Sequence, residues 1–127
     1  MAERAEKRIL IIDDAHLVRR YYRDALERAG FAVDEAFNGM EALEKVDACD
    51  LVIVDVNMPQ MDGLTFVKTL RGRSSPESAL PILIISTESG PQDMQAGRAA
   101  GANFYLVKTV RQETLVEHVS MMCGRPA

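Results

Sequence analysis

Five short apolar runs punctuate the chain, and after each one the apolar residues change from a continuous block to every third or fourth position. The runs are Ile9–Asp13, Ala32–Ala36, Leu51–Asp55, Ile82–Ser86 and Asn103–Val107. Their length and their content of Ile, Val and Leu fit strands, and the intervening periods fit amphipathic helices. The first helical stripe carries Leu17/Val18, Tyr21/Tyr22, Ala25/Leu26 and Ala29, with Gly30 as its stop. The second is short, with Met40, Leu43 and Val46 after an Asn38-Gly39 turn. The third carries Leu64, Val67 and Leu70 and ends at Gly72. The fourth, Gln92–Ala100, contains Gly97, which together with Gly90 and Pro91 predicts a weak helix. The fifth carries Leu115, Val116, Val119 and Met122.

Repeated strand–helix alternation predicts an α/β fold, a doubly wound five-stranded parallel sheet with five helices on its two faces. The first, third and fourth runs are continuously apolar, as central strands buried on both sides should be. Ala32–Ala36 includes Asp34 and Glu35 and reads as an edge strand. The segment from Gly72 to Pro81 is a turn-rich connection.

A chain of 127 residues fits one domain, 1–127, with residues 1–7 as a loose, charged N-terminal segment and no output domain. A net charge of -4 offers neither a basic footprint for nucleic acid nor a polybasic membrane signal. The apolar runs are far shorter than the roughly 18 residues of a membrane span, and the charged start lacks the apolar core of a secretion signal. The expected location is the cytoplasm. Cys49 and Cys123 have no metal-type spacing and read as free thiols at element edges. His118 reads as a solvated helix residue. His16 follows Asp14 by two positions, but histidine suits softer metals than an all-oxygen site.

The chemistry gathers at strand ends. Asp13-Asp14 close the first run, Asp55 the third, Ser86-Thr87 the fourth, and Lys108 follows the fifth. In an open parallel sheet, ligands bind beyond the carboxyl ends of the strands, so these groups should share one rim. Carboxylates brought together repel each other and ordinarily hold a hard divalent cation. Asp13 and Asp14 supply oxygen ligands for Mg²⁺, and Asp55 is either a further ligand or a carboxylate nucleophile toward phosphorus. Lys108 is a point charge able to pair with Asp55 and then with a phosphoryl group. A hydroxyl from Ser86 or Thr87 can donate to a phosphoryl oxygen, and the spacing to Glu88 favours Ser86. Together these are the requirements of phosphoryl transfer, which depends on positioning and charge neutralisation. Any one of these residues alone is as well read as a solvated loop or a turn cap; their joint placement at strand ends decides for a site.

On Asp13-Asp14, Asp55 with Asn57-Met58-Pro59, Met61-Asp62-Gly63, Ser86 with Glu88, and Tyr105-Leu106-Val107-Lys108, the chain resembles the receiver domains of two-component response regulators. Its size resembles the stand-alone, CheY-like branch. The resemblance implies the flavodoxin-like strand order 2-1-3-4-5. It also implies that Asp55 accepts a phosphoryl group from a histidine kinase with Mg²⁺ as cofactor. Asp14 would ligate the ion directly and Asp13 largely through water, with Asp55 and the backbone carbonyl of Asn57 completing the protein ligands. Ser86 and Tyr105 would form the switch pair, and Lys108 would contact the phosphoryl group. Such a protein is not a conventional enzyme, although it assists its own phosphorylation and dephosphorylation. Its output would be a changed affinity for a protein such as a flagellar motor switch, in chemotaxis or motility.

Two alternatives follow from the same residues. A phosphorelay intermediate or phosphate sink would need no switching surface. A metal-dependent phosphatase of the haloacid dehalogenase type would want a second acid two residues after the nucleophile, where Asn57 stands. The chain departs from the family at two places. Thr109 replaces the usual proline after the lysine, and a cis bond before a non-proline costs about 2.5–4 kcal/mol, so Lys108–Thr109 is expected to be trans. Thr87 replaces a small residue and is expected to crowd the phosphoryl site. Without metal, the clustered acids should be a source of instability that Asp13→Asn relieves.

Overall fold

The computed structural model describes residues 6–125; residues 1–5 of the expected loose segment 1–7 lie outside the described residues. Strands β1 (Arg8–Ile12), β2 (Ala32–Ala36), β3 (Leu51–Val54), β4 (Ile82–Ser86) and β5 (Phe104–Val107) alternate with helices α1 (His16–Arg28), α2 (Gly39–Leu43), α3 (Gly63–Arg71), α4 (Pro91–Ala100) and α5 (Gln112–Cys123). The sheet is parallel throughout, in the order β2-β1-β3-β4-β5. Ala32–Ala36 is an edge strand, as its charges predicted.

Alternate side chains of the central strands enter two cores. Ile9, Ile11, Leu51, Ile53, Leu83 and Ile85 meet Tyr22, Leu26, Leu115 and Val119 from α1 and α5. Leu10, Ile12, Val52, Val54, Ile82 and Ile84 meet Ala42, Phe66, Val67 and Leu70 from α2 and α3, with Ala100 of α4. Burial on both faces is why these strands read as unbroken apolar runs. Each fully buried Ile or Leu contributes about 1.5–3 kcal/mol relative to exposure.

Local chemistry sets the helix boundaries and corrects several expectations. The predicted stripe on α1 is too wide: Tyr22, Ala25 and Leu26 are buried, whereas Leu17 is 77% exposed. Asn38-Gly39 is not a free turn. Asn38 is the N-cap of α2, its side chain accepting from the Glu41 amide at 2.8 Å. That start turns Met40 outward, and the element ends at Leu43; Val46 is buried from a separate 3-10 turn, Val46–Ala48. On α3 the cap is Asp62, accepting from Thr65 N at 2.8 Å, and Phe66 is fully buried besides Val67 and Leu70.

Helix α4 begins one residue earlier than predicted. Pro91 sits in its first turn, where its fixed φ and missing N–H are no handicap, and the Asp93 carboxylate accepts from the Gly90 amide at 3.0 Å. Pro91 and Asp93 therefore support the helix start, and only Gly97 weakens its interior. A Cβ at Gly97 would lie 3.0 Å from both Ile84 Cδ1 and Tyr105 Cδ2, so the glycine lets the helix approach β4 and β5 closely. Among the described residues no helix is long and apolar enough to cross a membrane.

Candidate functional site

Strand order places the site. β1 lies between β2 and β3, and the chain leaves β1 toward the face of α1 but leaves β3 toward the face of α3, so a crevice opens at the ends of β1 and β3. Asp13 and Asp55 stand one residue beyond these two strands. The Asp55 amide donates to Ile12 O at 3.0 Å and the Asp13 amide to Ala36 O at 3.2 Å, which fixes both residues to the sheet. One carboxylate oxygen from each of Asp13, Asp14 and Asp55 falls within 4.8 Å of the others. Asp13 and Asp55 are buried and Asp14 is exposed, so the cluster is walled by the sheet and open on one side.

Lys108, carried by the end of β5, reaches across β4 into this cluster. Its Nζ lies 3.1 Å from Asp13 Oδ2 and 3.3 Å from Asp55 Oδ2. Three carboxylates and one ammonium leave two net negative charges in a partly buried space. A hard divalent cation would cancel that excess, and the all-oxygen donor set with an open side suits Mg²⁺, which keeps waters and accepts a phosphate oxygen. The residues therefore fit the ion.

The two buried acids are not equivalent. Asp13 Oδ1 accepts from the Ala15 amide at 2.9 Å while Oδ2 takes Lys108. Burial pushes the Asp55 carboxyl above the usual carboxylate range, and the Asp13 charge adds to the effect; Lys108 and the Asn57 amide oppose it without prevailing. Burial alone would lower Lys108, but its hydrogen bond to Asp13 and the two carboxylate charges hold it above the ordinary lysine value. The Asp55 charge is thus opposed by burial and by its neighbour Asp13, so neutralising Asp55 tests the metal-free instability as directly as Asp13→Asn does.

This has a measurable consequence in the presence of a chelator. A carboxyl whose folded pKa is raised contributes stability that is complete below its unfolded value of about 4 and is lost as pH rises through the folded value. Asp55→Asn cannot ionise. The stability of the variant relative to the parent should therefore increase between about pH 4 and pH 7. Urea titrations at several pH values measure that gap, and a gap independent of pH would show that the Asp55 charge is not its source.

The remaining predicted residues flank the crevice. Ser86 is fully buried, its Oγ accepting from the Glu88 amide at 3.1 Å, whereas its neighbour Thr87 is exposed. Tyr105 is half-buried, and its hydroxyl donates to Glu88 O at 2.7 Å. Burial pushes the Tyr105 phenol up. Asn57 is exposed, its side-chain amide donating to Glu88 Oε2 at 3.2 Å. His16 begins α1, is exposed, and is not among the clustered donors. His118 is half-buried with its ring edge-on to Phe104, not simply solvated.

The Lys108–Thr109 peptide is cis, which corrects the expectation of a trans bond. That expectation weighed only the intrinsic preference of the dipeptide. In the folded chain both sides of the bond are held, Lys108 by the two carboxylates and Val110 by burial and by the Tyr21 hydroxyl, which donates to its carbonyl at 3.0 Å.

Two further residues shape the site without belonging to its charged cluster. Gly63, already part of the Met61-Asp62-Gly63 resemblance, is one: a Cβ there would lie 2.1 Å from the Asp55 carbonyl oxygen, so only glycine lets α3 start against the chain that bears Asp55. Asn38 is another, buried with its amide donating to Gln60 Oε1 at 3.0 Å, which ties the corner after β2 to the loop after Asp55. Gln60 itself has φ 69°, a left-handed conformation. The signal for a cap at Asn38 is local: Asn is followed three residues later by Glu41, whose carboxylate accepts from the Phe37 amide at 2.8 Å.

The description "response regulator receiver domain" fits residues 9–120, which include every residue of this cluster. The chemotaxis protein CheY1 of Helicobacter pylori is 37% identical over 121 residues, covering 92% of this chain and 97% of that protein. The response regulator MprA of Mycobacterium tuberculosis is 36% identical over 120 residues, 93% of this chain but only 51% of that protein. Among solved structures, the chemotaxis protein CheY4 of Vibrio cholerae superposes with a TM-score of 0.87 at 38% identity, covering 93% of this chain and 99% of that one. The chain belongs to the response regulator receiver domain family.

Proposed function

We propose that this protein is a stand-alone response regulator that takes a phosphoryl group from a histidine kinase onto Asp55 and then changes its affinity for a protein partner. The observation that carries the reading is the Asp55 carboxylate at the switch point of the sheet, beside Asp13 and Asp14 and paired with Lys108. An Asp55 oxygen forms the new P–O bond as the P–N bond of the donor phosphohistidine breaks, and the departing imidazole nitrogen takes a proton. Attack of water on phosphorus later returns the carboxylate and inorganic phosphate. Mg²⁺, held by Asp13, Asp14, Asp55 and the Asn57 carbonyl, would supply charge neutralisation for the phosphoryl oxygens. Lys108 follows the transferred charge from the carboxylate to the phosphoryl group, and Ser86 donates a hydrogen bond to it.

The switch reading is favoured over a phosphate sink by the geometry around Tyr105. Its hydroxyl holds Glu88 O, and Glu88 N holds Ser86 Oγ, so Ser86 and Tyr105 share one short segment. Movement of Ser86 toward a phosphoryl group releases that amide and, through it, the anchor of the Tyr105 ring. The ring packs on α4 at Gly97, where helix propensity is poor and displacement is cheap. The face of α4, β5 and α5, which includes exposed Phe104 and Met121, is then the partner surface. By likeness to the chemotaxis proteins above, the pathway is chemotaxis or motility, the partner a motor-switch protein, and the location the cytoplasm.

Addition of a beryllofluoride phosphoryl mimic with Mg²⁺ should shift backbone amide resonances through residues 92–119 as well as those around Asp13 and Asp55. Shifts confined to the two acidic loops would favour the sink. A phosphotransfer profile against the histidine kinases of the source organism should show one kinetically preferred donor.

A further inference from the structure

We infer that Arg19 is a positioning residue for the acidic loop, setting how well Asp13 and Asp14 take up a divalent cation; the inference rests on the Mg²⁺ site of the reading above. Arg19 lies in the first turn of α1, and its Nη1 donates to the main-chain carbonyl of Asp13 at 2.7 Å. Its Nε donates to Glu35 Oε1 on the edge strand β2, also at 2.7 Å. The Arg19 side chain is only 14% exposed, so its direction is set by these partners rather than by solvent. Glu35 in turn is fixed through Oε2 by Arg23.

A device serving only to staple α1 onto β2 would be complete without this carbonyl. Arg23 already joins the helix to Glu35, and Arg23 also pairs with Glu27 along its own helix. What Arg19 adds is reach: a planar fork that holds a carboxylate with one nitrogen and a carbonyl with another, which an ammonium cannot reproduce. Asp13 is therefore oriented by three donors from three places, with Ala15 N and Lys108 Nζ on its carboxylate and Arg19 on its carbonyl. The next residue is Asp14, whose exposed carboxylate depends on the same turn for its direction. Groups that orient ligand-bearing residues in this way commonly change metal affinity 10–100-fold when removed.

Charge and positioning make opposite forecasts for this residue. Removing a cation near a cation site should tighten Mg²⁺ binding, whereas releasing the turn should weaken it. Isothermal titration of the full chain with MgCl2 is the direct measurement. Arg19→Gln should raise the Mg²⁺ dissociation constant by roughly tenfold or more, and Arg19→Lys should fall between it and the parent. Arg23→Gln removes the other Glu35 partner and should lower the melting temperature while leaving Mg²⁺ affinity within about twofold. Labelling of Arg19→Gln by acetyl phosphate should recover at saturating Mg²⁺, since Asp55 and Lys108 are intact. Equal or tighter Mg²⁺ binding by Arg19→Gln would overturn the inference, as would an equal loss in Arg23→Gln. Should Arg19→Gln fail to fold, Arg19→Lys decides by the same comparison. A parent with no saturable Mg²⁺ binding removes the metal reading itself and the inference with it.

Discussion

Asp55→Asn should lose phosphoryl uptake from acetyl phosphate and Mg²⁺ by a hundredfold or more, roughly 3 kcal/mol of activation free energy. The amide retains the shape of the side chain but has no anionic oxygen to attack phosphorus. No neighbour is placed to take over. Asp13 has its two oxygens engaged by Ala15 N and Lys108, and Asp14 stands at the open, solvated side of the cluster. Burial and the Asp13 charge work against ionised Asp55 in the folded state. The variant should therefore be at least as stable as the parent at neutral pH without metal, so lost labelling cannot be ascribed to unfolding. Intact-mass spectrometry should show one base-labile phosphoryl group on the parent and none on the variant. Undiminished labelling of Asp55→Asn would place the acceptor elsewhere.

Lys108→Met should destabilise the chelated protein by about 2–4 kcal/mol, somewhat below the roughly 3–5 kcal/mol lost when one partner of a fully buried ion pair is removed, because the ammonium stem is partly in solvent. For a domain of this size that is a fall in melting temperature of roughly 10 °C. The ammonium is the cation shared by Asp13 and Asp55, at 3.1 and 3.3 Å, and both acids are buried. Methionine preserves much of the stem and leaves the two carboxylates to repel across the crevice. Mg²⁺ should then restore a larger share of stability to the variant than it gives the parent, since ligand linkage favours whichever folded state binds it more tightly. Phosphoryl uptake should fall even at saturating Mg²⁺, because no lysine remains to meet the transferred charge. Calorimetry with EDTA and with Mg²⁺ tests both claims. An unchanged melting temperature in EDTA would mean that solvent already screens these acids and that Lys108 carries little of their charge balance.

The receiver fold was legible because its cues are local and repeated. Ile9–Ile12, Leu51–Val54 and Ile82–Ile85 are apolar on both faces, and that alone marks them as interior strands of a covered parallel sheet. Acids directly after two of those runs violate the apolar rule at the place where an α/β sheet binds ligands, which marks Asp13, Asp14 and Asp55 from sequence alone. Strand ends also announced Ser86 and Lys108. Strand order was not in the period of the residues; it came from likeness to the family.

Tertiary structure decided everything that depends on distant residues. Leu17 belongs to a helical stripe by period yet is exposed, at the edge of an open cavity bordered by Lys108, Thr109 and Val110 rather than by packed strand residues. The cap at Asn38 is local, but its burial and the bond from its amide to Gln60 come only with the folded chain. The cis bond at Lys108–Thr109 opposed the dipeptide's own preference, with Lys108 and, one residue past Thr109, Val110 held by groups far away in sequence. Arg19 and Glu35 were ordinary surface charges until the pairing of β1 with β2 set Glu35 opposite Ile11 and turned the guanidinium onto Asp13. A sequence fixes which residues must leave water and with what period. Which carboxylate shares which cation is settled only when strands from separate parts of the chain pair, since Coulomb energy depends on ångströms in space and not on separation along the backbone.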